Sequence, residues 1–177
     1  MMNPSRLKQR AVIVICLAMP LSCFSEESSL PEGWRLPLPS ETTTEQGWRS
    51  ESPDRYLTTS ADFNGDGIID KAMLLVRKEG AGLGLFAFVS QKDRSAKSYL
   101  LDEIQNPEYI RVMGVSIAQP GKYKTACGKG YFECQDGEEN EIVLRYPAID
   151  YFKEESANSF YCWDENKKNF KRIWMSD

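Results

Sequence analysis

The chain contains no histidine. That absence removes Ser-His-Asp and Cys-His catalysis, histidine-ligated zinc and any histidine pH switch. Also missing are a Walker loop, a GxSxG nucleophile elbow and a nucleotide-binding glycine fingerprint. The GAGLG run at residues 80–84 lies between two strand-like segments rather than before a helix, so it reads as a hairpin turn. Basic charge is scarce as well. The net charge is −4, and Arg6, Lys8 and Arg10 are the only charges in the first 22 residues, so the remainder carries −7. That balance argues against nucleic acid as a partner and suits a basic one. An enzyme built on this chain would have to use paired carboxylates, Lys, Tyr or a bound metal.

Long apolar runs are absent apart from AVIVICLAMPL at residues 11–21. That run is far short of the ~20 residues of a spanning helix. Preceded by a basic stretch, it reads as a secretory signal occupying residues 1–25. Two exits are open. One is cleavage near Ser25, before Glu26. In the other, Leu21-Ser22-Cys23 resembles the end of a bacterial lipobox, with Pro20 where that pattern carries Leu. The resemblance implies that Cys23 is lipidated and becomes the mature N-terminus. Either exit places the protein outside the cytoplasm: periplasmic, lipid-anchored to a bacterial envelope, or secreted. Its only membrane contact would be the lipid anchor, and both disulfides and calcium are permitted there.

With 177 residues, of which 41% are apolar and 27% charged, the chain has the composition of one globular domain plus a leader. Residues 26–60 form a Pro/Ser/Thr-rich arm, which Trp34 and Trp48 would anchor to the body. Within it Thr42-Thr43-Thr44-Glu45 fits a capping box, so a short helix is expected to start there. Residues 61–177 form the body.

The body opens on Asp62-Phe63-Asn64-Gly65-Asp66-Gly67-Ile68-Ile69-Asp70. Oxygen-bearing side chains alternate at Asp62, Asn64 and Asp66, glycine follows at Gly67, and a fourth carboxylate stands at Asp70. This is the first half of a calcium loop: carboxylates and a carboxamide wrap a hard cation, the Ile68 carbonyl faces it, and Asp70 ligates directly or through water. An EF-hand needs Glu at its twelfth position, which here is Met73, and a strand-like run follows rather than a helix. A DxNxDGxxD loop running into a strand resembles the calcium loops of FG-GAP and VCBS-type repeats, here in a single copy. The resemblance implies a calcium ion in an extracytoplasmic β-protein; without the twelfth-position Glu the remaining ligands come from water or elsewhere, and a modest affinity is expected. The competing reading is a polar turn whose Asp and Asn side chains cap their own backbone.

Beyond the loop, period-two patterns joined by short turns predict strands at residues 72–77, 83–90 and from 98 to 102, then at 109–118, 123–127, 131–134 and 141–146. The chain would end on a hairpin of residues 159–163 and 169–174. Residues 148–155 fit either a strand or an aromatic-bearing loop. The segment 83–89 is apolar on both faces and reads as a central strand. Leu74, Val76, Leu85, Ala87, Val89 and Leu100 are the core candidates. The expected fold is mainly β, an antiparallel meander forming an open barrel or sandwich, with one or two short helices at most.

Three cysteines fall in the body. Cys127 and Cys134 flank a tight Gly-Lys-Gly-Tyr-Phe-Glu segment and would staple it, leaving Cys162 unpaired beside Trp163. Pairing of Cys162 with either of the others stays open, because connectivity is not written in the spacing. Glu103, Asp136, Glu138, Glu139, Asp150, Glu154 and Glu155 offer carboxylates for glycoside cleavage, but nothing selects two of them. Phe152, Phe160, Tyr161, Trp163, Phe170 and Trp174 would make either a sugar-stacking platform or cross-strand packing. No catalytic residue is assigned. The expected function is an exported, calcium-binding, non-enzymatic envelope protein that binds another protein, as an inhibitor or immunity protein does. A carbohydrate- or envelope-binding module with a glycan partner is the alternative, and a small carboxylate- or calcium-dependent hydrolase is the third.

Overall fold

A computed structural model describes residues 30–43, 45 and 47–176. The expected leader at 1–25, Cys23 with its lipidation, and Thr44 of the expected capping box lie outside the described residues.

The strands are β1 (Trp34–Arg35), β2 (Thr58–Ala61), β3 (Asp70–Arg77), β4 (Leu83–Ser90), β5 (Ala96–Ile104), β6 (Met113–Ala118), β7 (Gly121–Lys124), β8 (Glu141–Leu144), β9 (Ala148–Lys153), β10 (Asn158–Asp164) and β11 (Asn169–Ser176). They make two antiparallel sheets and a ribbon. The first sheet runs β1-β3-β4-β5, with β2 also on β3; the second runs β11-β10-β9-β6; β7 and β8 pair alone. The helical elements among the described residues are α1 (Pro39–Thr42) and two 3-10 turns, Pro107–Arg111 and Cys127–Lys129. The fold is therefore mainly β, its sheets do not close into a barrel, and of the open barrel or sandwich expected it is the open sandwich.

Alternation decides what each sheet buries. Leu74, Val76, Leu83, Leu85 and Ala87 of the first sheet meet Met113, Val115, Ile149, Tyr151 and Tyr161 of the second in one core. At ~1.5–3 kcal/mol per fully buried large apolar side chain, this layer dominates the stability. One side of the sandwich is stitched at a corner. The Leu57 carbonyl accepts from the Leu74 N–H at 2.9 Å, and the Tyr56 carbonyl accepts from the Val115 N–H at 2.9 Å. Strands β3 and β4 are apolar on their second face too, and the arm covers it. Trp34 packs over Met73, Leu75 and Phe86, edge-on to Phe86 at 4.9 Å between centroids. Gly84 makes room for that indole: a Cβ there would lie 2.8 Å from the ring. The ribbon does the same for the second sheet, with Ile142 and Leu144 on Ala118, Ala148 and Phe160.

Four expectations change. Leu100 is not core but 49% exposed. Leu100 pairs with Phe86, whose side chain lies on the face away from the main core, while Tyr99 and Leu101 pack inward; the bulge comes after it, since Asp102 and not Leu101 pairs with Leu85, and it shifts the phase of β5 from Asp102 onward. The strand expected from residue 109 begins only at Met113. Pro107 presets the first position of a 3-10 turn and the Asn106 side chain accepts from the Glu108 N–H at 3.0 Å. Helix α1 ends where a helix was expected to start. Pro39 opens it, and the Glu41 carboxylate caps the Leu38 N–H at 2.7 Å while pairing with Arg35 at 2.7 Å. Finally, residues 131–134 form no strand. Gly128 presses against the Asn140 carbonyl and Gly130 turns left-handed at φ 84°, which carries the chain away from β7.

The arm holds a feature that sequence patterns did not announce. Arg49 is 0% exposed. It donates to the carbonyls of Arg55 and Met113 at 2.6 Å each and to that of Ile110, and its guanidinium sits 4.4 Å from the Trp48 ring centroid. Trp48 itself donates to the Arg111 carbonyl at 2.7 Å and stacks on Tyr56. Burial pulls Arg49 down to about 10, with the nearby Glu154 charge acting the other way, so it stays charged at neutral pH.

Candidate metal centre

Residues 62–69 are the loop of the β2–β3 hairpin, closed by the pairing of Ala61 with Asp70. Both ends are tied to the sandwich. Phe63 is fully buried in the main core. Asp70, 1% exposed, opens β3. Its Oδ2 accepts from the Phe63 N–H at 3.1 Å and its Oδ1 from the Ser90 N–H at 2.9 Å. Ser90 adds a bond from its hydroxyl to the Ile69 carbonyl at 2.8 Å. One carboxylate thus joins the start of the loop, its end and the last residue of β4.

Inside the loop the side chains organise the backbone. Asp62 Oδ1 accepts from the N–H groups of Gly65 (2.7 Å) and Asp66 (3.1 Å), and Oδ2 from that of Gly67 (2.8 Å). Asn64 Oδ1 accepts from the Asp66 N–H at 3.0 Å, and Asp66 Oδ1 from the Ile68 N–H at 2.8 Å. The Asn64 amide donates to Asp66 Oδ2 at 3.0 Å. Gly65 and Gly67 have φ of 74° and 85°, which only glycine adopts without strain, and a Cβ on Gly65 would collide with the Tyr146 ring laid over the loop. The Asp70 carboxyl is pushed up chiefly by burial. Its bonds from Ser90 and Phe63 oppose the shift, and the charges of Asp66 and Asp62 add to it.

Among the described residues no group of three or more His, Cys, Asp and Glu side chains is gathered as a metal-holding cluster. The reason is visible in the bonds above: the carboxylates of Asp62 and Asp66 are turned to the loop's own N–H groups. A carboxylate has about four acceptor positions. Asp62 uses three of them, Asp66 two and Asp70 two, so each keeps capacity. With Asn64 Oδ1 and the Ile68 carbonyl, every candidate donor named in the sequence of this loop is an oxygen. Such a set fits calcium and does not fit zinc. Phe63, Ser90 and Tyr146 position this loop; only Phe63, an apolar residue inside a polar run, left a trace in the sequence.

The other expected sites are spread out. Cys127 and Cys134 are disulfide-bonded, and Cys162 is free. Glu103 pairs with Arg77 at 2.7 Å. Asp150 is held by Ser116 at 3.0 Å and Asn158 at 2.9 Å, and burial raises its carboxyl. The aromatic residues do not share a platform. Phe160 and Tyr161 are buried in different cores, Trp163 and Phe170 pack on Tyr99, and Trp174 is exposed. Burial pushes the Cys162 thiol up to about 12, against the pull of Lys171. Native protein at pH 8 is therefore expected to leave the Cys162 peptide unlabelled by iodoacetamide, with full labelling in denaturant. Rapid native labelling, read by peptide mass spectrometry, would show that the thiolate is accessible after all.

Comparison with protein-family models, with curated proteins and with solved structures finds no match.

Proposed function

We propose that the protein is an exported, calcium-binding envelope protein without catalytic activity, whose work is to bind another protein as an inhibitor or immunity-type partner. The observation that carries this reading is the oxygen-lined hairpin loop at 62–70, fixed at both ends by buried Phe63 and Asp70. Calcium would be held by the side chains of Asp62, Asn64, Asp66 and Asp70 with the Ile68 carbonyl. The Asn64 amide would release Asp66 Oδ2 for it. The ion would supply charge neutralisation among the carboxylates and a cross-link between β2, β3 and the end of β4. A site of this kind pins a loop and leaves the rest of the surface for a partner.

Support against catalysis comes from the placement of the acids. Glu103 is neutralised by Arg77, and Asp150 is engaged by Ser116 and Asn158. The decisive experiment is a pull-down of the tagged mature protein from envelope extract, with calcium and with EGTA. A single stoichiometric protein, weakened by EGTA, is the expected result. Retention on peptidoglycan or glycan with no protein partner would reject the protein-binding reading in favour of an envelope-binding module.

A further inference from the structure

Three connections come together at one end of the sandwich: the loop at 62–69, the β4–β5 turn from Gln91 and the β10–β11 turn at 164–168. Between them lies a cleft of ≈ 340 Å³. Asn64 and Asp66 edge it from the first, Gln91 from the second and Lys168 from the third, and Tyr99 and Trp163 stand on the strands between. Its size falls within the roughly 300–1,000 Å³ of small-ligand sites. Both turns are held by their own bonds. The Gln91 N–H donates to the Ser95 carbonyl at 2.8 Å and the Arg94 N–H to that of Gln91 at 3.0 Å. Asp164 Oδ1 accepts from the N–H groups of Asn166 (2.9 Å) and Lys167 (3.1 Å), and the Tyr99 hydroxyl donates to the Lys168 carbonyl at 3.2 Å. A ligand entering the cleft therefore has little backbone to order.

The lining favours a neutral ligand rich in hydroxyl groups. Its charges are of both signs, Asp66 against Lys97 and Lys168, and Asn64 and Gln91 add amides. An ion of either sign would meet a like charge here. A hydroxyl both donates and accepts, so it can use every one of these groups. The free aromatic wall is Trp163. Lys97 already covers Tyr99, its ammonium 4.6 Å from the ring centroid. Among the described residues no cation lies over Trp163 and no ring lies parallel to it: Tyr99 and Phe170 meet it at 90° and 74°. The half-buried indole also walls a second cleft, of ≈ 220 Å³, with Phe63, Tyr146 and Glu165. A chain longer than one sugar ring can therefore continue past it. We propose that this cleft binds a neutral saccharide, with the C–H face of one pyranose against Trp163 and its hydroxyls held by Gln91, Lys168 and the loop. The site stands apart from the protein-binding reading, because a glycan at this end leaves the rest of the surface to a partner.

The test is isothermal titration calorimetry of the mature chain, with calcium and with EGTA. Cellotetraose, maltotetraose and tetra-N-acetylchitotetraose are the neutral probes, and tetragalacturonate is the charged one. The expected result is heat from at least one neutral probe and weaker or no binding of tetragalacturonate. Trp163→Ala is expected to weaken the neutral probe about tenfold or more, and Lys168→Gly about fivefold. Trp163→Ala also loses packing on Tyr99 and Phe170, so Lys168→Gly is the variant that keeps the fold. Lys168 is exposed and has φ 49°, which glycine adopts without strain. Trp174→Ala, at an exposed ring outside both clefts, is expected to bind like wild type. No neutral probe bound in either condition, tighter binding of tetragalacturonate, or an affinity unchanged in both Trp163→Ala and Lys168→Gly overturns the proposal. Each of these results leaves the protein-binding reading standing, since that reading is decided by the protein recovered from envelope extract.

Discussion

Replacing Arg49 with alanine is expected to lower the unfolding free energy by about 4 kcal/mol. Three buried carbonyls, those of Arg55, Ile110 and Met113, take their donors from this one guanidinium. Each stranded acceptor costs roughly 1–3 kcal/mol, and the vacated volume against Trp48 adds to the loss. The three carbonyls belong to the arm and to the segment entering β6, next to the corner where Tyr56 and Leu57 stitch the sheets together. Losing Arg49 therefore loosens the seam as well as the arm. Arg49→Met keeps the length and apolar stem but not the donors, so it is expected to recover only the packing share. Arg49→Lys keeps the charge but not the planar fork, and cannot serve three fixed acceptors at once. Urea unfolding at constant slope is the measurement. Against a total of roughly 5–15 kcal/mol, the loss is between about a quarter and most of the stability. A loss below about 1 kcal/mol would mean that water replaces the guanidinium and that the arm contributes little.

Arg49 also marks where sequence reading stops. Strand β4 was legible to the residue, because LGLFAFVS is apolar on both faces and bounded by turn residues. The β10–β11 hairpin was legible from its two aromatic-bearing runs and the polar turn at 164–168 between them. Nothing in the run of β5 revealed its register: Leu100 falls opposite Phe86 on the outer face, and the residue inserted before Asp102 shifts the phase of the strand's end without changing its composition. The 3-10 turn at 107–111 was hidden by Tyr109 and Ile110, whose β-type side chains outweighed the Asn106-Pro107 start signal. A buried arginine satisfied by carbonyls rather than carboxylates leaves no pattern at all, because its acceptors are scattered over residues 55, 110 and 113. The candidate metal loop behaved differently. Its residues are contiguous, so their spacing alone placed the oxygens in one loop ahead of a strand, while β2, which makes the loop a hairpin, and the supports from Ser90 and Tyr146 had no local signature.

Calcium at a hundred times its dissociation constant is expected to stabilise the wild-type protein by about 2.7 kcal/mol and to raise its Tm by about 8 °C. Asp66→Ala should abolish that increment. In EGTA the same substitution should cost only about 1 kcal/mol, because the two hydrogen bonds it removes, from the Ile68 N–H and the Asn64 amide, are exposed and their donors turn to water, while repulsion on Asp70 is relieved. The pH dependence sharpens the distinction. Burial raises the Asp70 carboxyl above its ordinary 3.8. A raised carboxyl favours the folded state most when protonated, so its contribution is present at and below 3.8 and is lost as pH rises through the higher folded value. A bound calcium ion requires the carboxylate and reverses this sign: the calcium increment should grow as pH rises through that same window. Thermal melts from pH 4 to 7, with calcium and with EGTA, read both slopes. Superimposable curves would remove the ion from the account and leave residues 62–70 as a self-capped hairpin loop.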